Sequence, residues 1–434
     1  TRSTIDQVYE AARVEEVIGD FVVLKKSGSN FKGLSPFSQE RTPSFMVSPV
    51  KQIWKDFSSG KGGNVVAFLM EHEHFTYPEA IRFLANKYNI EIEETEQSHE
   101  EKEKANARES LYLVNQFAQE CFTQDLWEFS EGKAIGLSYF RERGFTDETI
   151  RLFSLGYAAE QRDRFYKKAT KAGYAESYIV ETGLIIKNER GAVDRFRGRV
   201  IFPIRSMAGR IQGFGGRILS ATLKTAKYIN SPESEVYHKS KVLYGMFEAK
   251  KAIAKEDICY LVEGYTDVIQ MFQQGIENVV SSSGTALTPE QIRLIRRLTP
   301  NIVVLFDGDS AGLRAAIRGI DLILEQGMNV RVCSFPEGED PDSFSKSHTK
   351  EEISKYLKES ARDFIQFKTD LLLQESGNDP VKKANTVREI VKSISKIPDA
   401  IQQEIYLKQC ASLMDVSETV LFNALAQEQN KKKP

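Results

Sequence analysis

From Ile258 to Phe335, apolar stretches of strand length alternate with longer amphipathic ones. "ICYLVEG" precedes "TDVIQMFQQG", "VVSSSG" precedes "TPEQIRLIRRL", "IVVLFDGD" precedes "SAGLRAAIRGIDLILEQG", and "VRVCSF" closes the series. Strand-then-helix alternation predicts a parallel sheet with helices on its faces. Upstream the period changes. In "RFRGRVIFPIR" the side chains alternate, "SMAG" interrupts, and "RIQGFGGRIL" resumes, which predicts an antiparallel hairpin with glycines where something approaches closely. From Leu111 to about Tyr157 the pattern is helical, as in "LYLVNQFAQECF". The N-terminal stretch opens with an amphipathic helix and passes through short strands in "FVVLKKSG", "SFMVSP" and "KQIWKDF". It returns to helices in "NVVAFLMEHE" and "TYPEAIRFLANKYN". After about residue 345 the chain turns helical to its end, with "GNDP" and "IPDA" as turns. No internal repeat is visible.

The charged run "IEIEETEQSHEEKEKANARES" lacks apolar periodicity and marks a linker at 94–106. The expected organisation is therefore an N-terminal domain at 1–93, then the linker. A basic subdomain follows at 107–250, a parallel-sheet domain at 251–345 and a helical subdomain at 346–434. At 434 residues the chain is too long for one core, and usual domain sizes suggest about three domains. Hydrophobic residues at 41% and charged residues at 28% fit a globular protein. No run approaches the roughly 20 apolar residues needed to span a bilayer. With no signal peptide at the start, a cytoplasmic location is expected. Cys121, Cys259, Cys333 and Cys410 are scattered through apolar contexts and read as buried free thiols. His72 and His74 stand close together but lack further ligands nearby, so they do not read as a metal site.

The net charge of −2 gives no global attraction to nucleic acid. Local charge does segregate: "RFRGRVIFPIRSMAGRIQGFGGR" holds Arg195, Arg197, Arg199, Arg205, Arg210 and Arg217 and no acid, in a chain with 61 acids. That run predicts a basic patch suited to polyphosphate or a nucleic-acid backbone. Glu263 ends the first strand of the alternating block, and Asp307 and Asp309 end the third. In open α/β sheets ligands bind beyond the carboxyl ends of the strands, so these three acids should converge. Converging carboxylates need a cation, and hard oxygen ligands suit magnesium. Asp267 lies one helical turn past Glu263, and Asp340 and Asp342 in "GEDPDSF" follow the next strand, so they join the same expected cluster. The competing structural reading makes Asp309 or Ser310 a helix cap, and Asp340 and Asp342 turn formers.

Near the N-terminus, Ser35 and Ser38 are followed after 17 residues by Asp56 and Ser59, which is the spacing of a zinc ribbon without its sulfurs.

These residues resemble the bacterial replicative primases of the DnaG type. "LVEGYTDVI", "SSSGTALTPEQ", "LFDGDSAGLRAA" and "GEDPDSF" look like the family's Toprim motifs. "DRFRGRVIFPIR", "GRIQGFGGRIL" and "KYINSPES…YHKSKVLYG" look like its basic polymerase subdomain, and the N-terminal frame looks like its zinc-binding domain. The resemblance implies a multidomain protein of α/β and α+β class. Its parts would be a zinc-ribbon-like N-terminal domain, an antiparallel basic subdomain, a Toprim-type parallel-sheet domain and a C-terminal helical bundle. It implies Glu263, Asp307 and Asp309 as catalytic and metal-binding acids, with Asp267, Asp340 and Asp342 in support and Mg2+, or Mn2+ in its place, as the ion. Arg199, Lys227 and Lys239 fall on the family's nucleotide- or template-binding residues, and Arg141 and Arg143 in "YFRERG" are further candidates.

The implied activity joins ribonucleoside triphosphates into short RNA primers on a single-stranded DNA template. The 3′-hydroxyl attacks the α-phosphate of the next nucleotide. A replicative helicase is the implied partner, and no membrane is involved. The Toprim motifs are also those of nucleases and topoisomerases, and a non-catalytic nucleic-acid-binding scaffold is the third reading. The family's helicase-docking domain is not seen in the sequence, which stops at "EQNKKKP", so a fragment is expected.

Where the family places zinc-binding cysteines and histidine, this chain has Ser35, Ser38, Asp56 and Ser59. A serine hydroxyl stays protonated at neutral pH and binds zinc poorly, and one carboxylate does not hold the ion alone. Zinc is expected to be absent. Apolar burial of Phe37, Phe45, Ile53, Trp54, Phe57, Val65 and Phe68 should then hold the domain, at about 1.5–3 kcal/mol for each side chain buried.

Overall fold

A computed structural model of the chain describes residues 2–38, 40–92, 99–189, 191–219, 226–284, 286–306, 310–336, 338–376 and 379–431. It divides into two compact units, Thr1–Asn106 and Ala107–Pro434. The helix His99–Trp127 takes in the second half of the charged run.

The first unit is an antiparallel meander of five strands, Lys25–Ser27, Asn30–Gly33, Phe45–Ser48, Ile53–Asp56 and Gly62–Gly63, ordered as in the sequence. The helices Val65–His72 and Tyr77–Lys87 follow, and Asn64 caps the first by accepting from the Ala67 amide. Phe45, Trp54, Val65 and Phe68 are buried as expected, and Phe37 packs against them partly exposed. Trp54 stacks on Phe45 at 5.5 Å and meets Phe68 edge-on at 5.7 Å, while its indole N–H donates to the Asn64 carbonyl. Two members of the expected core are not in it. Ile53 is 42% exposed and Phe57 is 69% exposed. The strand Ile53–Asp56 alternates outward and inward, so Trp54 and Asp56 share the buried face and Ile53 falls on the other. His72 stacks on the Phe68 ring at 5.1 Å.

The second unit carries two principal sheets. One is antiparallel, ordered Tyr228–Asn230, Ile211–Ile218, Arg199–Arg205, Gly156–Ala158, with the hairpin Ile185–Asn188 and Gly191–Asp194 beside it in the sequence. The other is ordered Val279–Ser281, Cys259–Val262, Asn301–Phe306, Asn329–Ser334 in parallel, and a short antiparallel strand at Arg362–Asp363 closes its edge. The sheets share one core: Phe202 stacks on Tyr265 at 4.9 Å, and Val200, Ile204, Val268 and Val303 fill the same cluster. Gly215 lies under the Tyr265 ring, where a Cβ would come within 2.4 Å of it. Helices Phe364–Ser376, Pro380–Ile394, Ala400–Met414 and Glu418–Lys431 form the expected helical bundle. It shares a second core with the parallel sheet through Ile323, Val330, Ile390 and Leu407. All four cysteines are free and buried. Among the described residues no helix is long and apolar enough to cross a membrane.

Candidate functional site

The parallel strand Cys259–Val262 delivers Glu263 to the carboxyl edge of the sheet, where its side chain is exposed. Leu261 pairs with Val304 in the neighbouring strand, so the strand ending at Phe306 finishes level with Glu263. Asp307 and Asp309 lie outside the described residues. Helix Tyr265–Gln273 starts directly after Glu263, and Asp267 in its first turn accepts the Gly264 amide at 2.9 Å. Helix Pro341–Ser347 starts beyond the fourth strand and packs against the helix of Asp267. Asp340, read as a turn former in the competing structural reading, is instead its N-cap and accepts the Ser343 amide at 2.7 Å.

Asp342 is buried and ion-paired twice, with Arg143 and with Lys346 at 3.0 Å. Four of the six sequence-predicted acids thus sit at the N-terminal turns of two touching helices or at the strand end between the sheets' shared core and solvent. Among the described residues no three such side chains gather closely enough to hold an ion. The carboxylate set is nonetheless one of hard oxygen donors, which suits a divalent cation of the magnesium type.

The arginine run is spent differently from the expected basic patch. Arg195 donates to the Gly183 carbonyl at 2.6 Å. Arg199 is buried and donates to the carbonyls of Gly216, Ala226 and Lys227 at 3.4, 3.1 and 3.3 Å, which ties the hairpin to the segment entering Tyr228–Asn230. Burial lowers the pKa of both guanidinium groups. Arg205 pairs with the buried Glu248 at 2.7 Å, and Arg210 with Glu109 at 2.7 Å. Arg217 donates to the Tyr228 hydroxyl at 2.9 Å with its guanidinium near the rings of Tyr139 and Tyr228. Arg197 is exposed.

Lys227 is exposed beside Tyr228, and Lys239 is half-buried with its amide held by Glu233 and its carbonyl by Gln291. Arg141 forms an exposed two-point pair with Asp147. The tyrosine next to Glu263 in the chain, Tyr265, is buried and donates to Asn230 Oδ1 at 2.6 Å. Burial holds its phenol far above the usual range, so it is not a poised nucleophile of the kind a topoisomerase needs.

In the first unit the four ribbon positions do come together, around Asp56. Ser35 Oγ donates to Asp56 Oδ2 at 2.8 Å, Ser59 Oγ donates to the same oxygen, and Ser38 Oγ lies 2.6 Å from Ser58 Oγ. Burial raises the Asp56 pKa, but hydrogen bonds from Ser59, Ser35 and Ser58 outweigh it and hold the carboxyl below its ordinary value. Thiolates and imidazoles, the donors a structural zinc site uses, are missing from this set, and the residues present do not fit zinc.

A parallel sheet with acids at its carboxyl edge, sharing one core with an antiparallel sheet, is of the Toprim-containing class, and a Toprim-like family model matches residues 260–345. Four family models agree along the chain. They are a CHC2 zinc finger over residues 1–100, the DNA primase catalytic core N-terminal domain over 122–250, a Toprim-like domain over 260–345, and the DnaB-helicase binding domain of primase over 365–419. The DNA primase of Halalkalibacterium halodurans is 38% identical over 99% of this chain and 70% of the relative. That of Clostridium acetobutylicum is 36% identical over 97% and 69%.

Among solved structures, the zinc-binding and RNA polymerase domains of Aquifex aeolicus primase match with a TM-score of 0.64. The identity is 32%, and the match covers 96% of this chain and 98% of that one. A DnaG primase catalytic domain bound to ssDNA matches with a TM-score of 0.66, 30% identity, and coverage of 73% and 99%. The chain belongs to the bacterial DnaG-type DNA primases, enzymes that synthesise RNA primers. Its Toprim domain implies use of a divalent metal, magnesium. The match over 365–419 corrects one expectation, because a segment of helicase-binding type lies within the helical region, where the sequence reading found none.

Proposed function

We propose that Glu263, Asp307 and Asp309 are the catalytic acids of primer synthesis and the direct holders of the divalent ions, with Asp267, Asp340 and Asp342 shaping the edge around them. The observation that carries this reading is the exposed Glu263 at the carboxyl end of its strand, level with the end of the strand that precedes Asp307. Bound magnesium, or manganese, would supply charge neutralisation at the polyphosphate. Asp267 and Asp340 act by fixing the first turns of their helices. Asp342 acts through Arg143 and Lys346, keeping the "GEDPDSF" segment against the helix that follows Glu263.

On the basic side, Lys227 and Lys239 bind nucleotide phosphates or the single-stranded DNA template. Arg199 serves them from behind by holding the Ala226 and Lys227 carbonyls. Arg141 lines the backbone path at the surface, while Arg143 is held by Asp342 and steadies the edge of the site. Ribonucleoside triphosphates are the substrates, a replicative helicase is the partner of the helical region, and the setting is the cytoplasm. The N-terminal unit carries no zinc, since its donor set does not suit the ion. The organisation is one of five functional segments, 1–93, 94–106, 107–250, 251–345 and 346–434, the first two within the compact unit Thr1–Asn106 and the last three within Ala107–Pro434.

The test is de novo RNA synthesis on single-stranded DNA with purified chain, ribonucleoside triphosphates and either magnesium or EDTA. Primers in the first condition and none in the second are expected. Relaxation of supercoiled DNA without nucleotides would overturn the assignment.

A further inference from the structure

The knuckles of a zinc ribbon are cross-linked by a cation that accepts four lone pairs. In this chain one of those four positions is a fully buried carboxylate, Asp56, and the other three gather around it. The donors come from separate stretches of chain. Ser35 Oγ reaches Asp56 Oδ2 at 2.8 Å, Ser58 Oγ lies 3.0 and 3.1 Å from the two carboxylate oxygens, and Ser59 supplies both its hydroxyl and, at 3.2 Å, its amide. Each hydroxyl has one proton to give, and the protons can be assigned. Ser44 Oγ gives its own to Glu40 at 2.5 Å and stands 3.2 Å from Asp56, while Ser38 gives its own to Ser58. Three hydroxyls are left for Asp56, with the Ser59 amide at 3.2 Å and the Ser58 amide at 3.4 Å beside them, enough to fill the roughly four lone-pair sites of a carboxylate. A second carboxylate organises the rim: Glu40 Oε1 accepts the amides of Ser35 at 2.8 Å and Ser44 at 2.9 Å. Ser35 Oγ in turn accepts the amides of Phe37 and Ser38, each at 3.1 Å, which closes the first knuckle.

We infer that the Asp56 carboxylate replaces the metal as the cross-link of this ribbon, with the polarity of the centre inverted. Where zinc would gather lone pairs, Asp56 gathers protons. The formal charge is conserved by the exchange, since Zn2+ with three thiolates and a neutral imidazole carries −1, as does one carboxylate among neutral hydroxyls. The net formal charge that the surrounding fold encloses is therefore the same. All the acceptor sites are taken by protons, so no open ligand position faces a cation. A structural zinc domain depends on its ion to fold, whereas this centre is complete from the chain alone. The inference deepens the zinc-free reading proposed above and rests on it.

The test uses the full chain. Elemental analysis gives its metal content, and hydrogen–deuterium exchange read by mass spectrometry follows residues 33–63 with and without EDTA, with residues 199–218 as an internal reference. Wild type should contain no stoichiometric zinc, and EDTA or added zinc should leave the exchange of 33–63 unchanged. Asp56→Asn keeps the size but removes the charge and turns one acceptor into a donor. Exchange of 33–63 should rise by about tenfold or more, the equivalent of one charge-assisted hydrogen bond, with 199–218 unaffected. Ser59→Ala should raise it by a smaller factor in the same segment, and it decides the matter if Asp56→Asn does not accumulate as folded protein. Stoichiometric zinc whose removal loosens 33–63 would overturn both the zinc-free reading and this inference. Absence of zinc together with unchanged exchange in both variants would overturn this inference alone. Magnesium or calcium that protects the segment would also overturn it, because Asp56 would then be a ligand.

Discussion

The ion pair between Arg143 and Asp342 joins two residues that sequence reasoning assigned to different partners, a nucleic-acid backbone and a metal. Asp342 is 5% exposed. Removing one partner of a buried pair costs about 3–5 kcal/mol, because the other charge is left desolvated. Two features of this pair reduce the figure. Lys346 remains 3.0 Å from Asp342, and the Arg143 side chain is about a quarter exposed, so solvent screens part of the interaction. Arg143→Met should then cost about 2–3 kcal/mol, lowering the melting temperature of the Ala107–Pro434 unit by about 3–4 °C.

The assay is a double-mutant cycle of Arg143→Met, Asp342→Asn and the pair, read by thermal unfolding and by the Michaelis constant for nucleotide in primer synthesis. A coupling energy of about 1.5 kcal/mol or more is expected, with the double variant little worse than either single one. Additive losses in stability would refute the claim that Asp342 acts through Arg143, and would return Arg143 to a direct contact with template.

Three further outcomes follow from the packing. Gly215→Ala would drive a methyl into the Tyr265 ring, so the joint between the two sheets should lose about 1–3 kcal/mol, visible as a lowered melting temperature; an unchanged one would mean that the contact yields freely. In the N-terminal unit Phe45→Ala should cost about 3–5 kcal/mol, whereas Phe57→Ser should stay within about 0.5 kcal/mol, and similar losses in denaturant titrations would reverse the assignment of core and surface. Burial raises the Asp194 carboxyl from 3.8 to about 6, although the amides of Phe165 and Tyr166 hydrogen-bond to it. The folded state then binds the extra proton between those values, so stability should fall as pH rises from about 4 through 6, and Asp194→Asn should flatten that slope in pH-dependent unfolding.

Much of the second unit was legible because its local periods agree with its long-range structure. The four parallel strands and the Arg199–Ile218 hairpin fall where strand-helix alternation and period-two alternation put them. The arginine run was legible as a run but not as a set of contacts. Glu248 and Glu109 reach Arg205 and Arg210 from distant stretches, so an acid-free window of sequence does not imply an acid-free neighbourhood. The π-helical turn Gly132–Leu137 had no pattern to announce it; it places Gly132 against the Asp125 carbonyl, a contact only glycine allows. In the ribbon the missed signal was present. Period two from Trp54 puts Asp56 on the inward face, and a buried acid amid Ser35, Ser44, Ser58 and Ser59 marks a hydrogen-bonded centre. The helicase-binding segment at 365–419 has amphipathic helices without distinctive chemistry, so periodicity found its helices and not its role.

The central claim, that acids at one sheet edge carry out metal-dependent primer synthesis, is tested most directly by RNA synthesis on single-stranded DNA by Glu263→Gln and Asp307→Asn, with template binding measured on the same preparations. The account predicts that each variant loses about a hundredfold or more of its synthesis while binding template as the wild type does. Full synthesis by either variant in magnesium would contradict it.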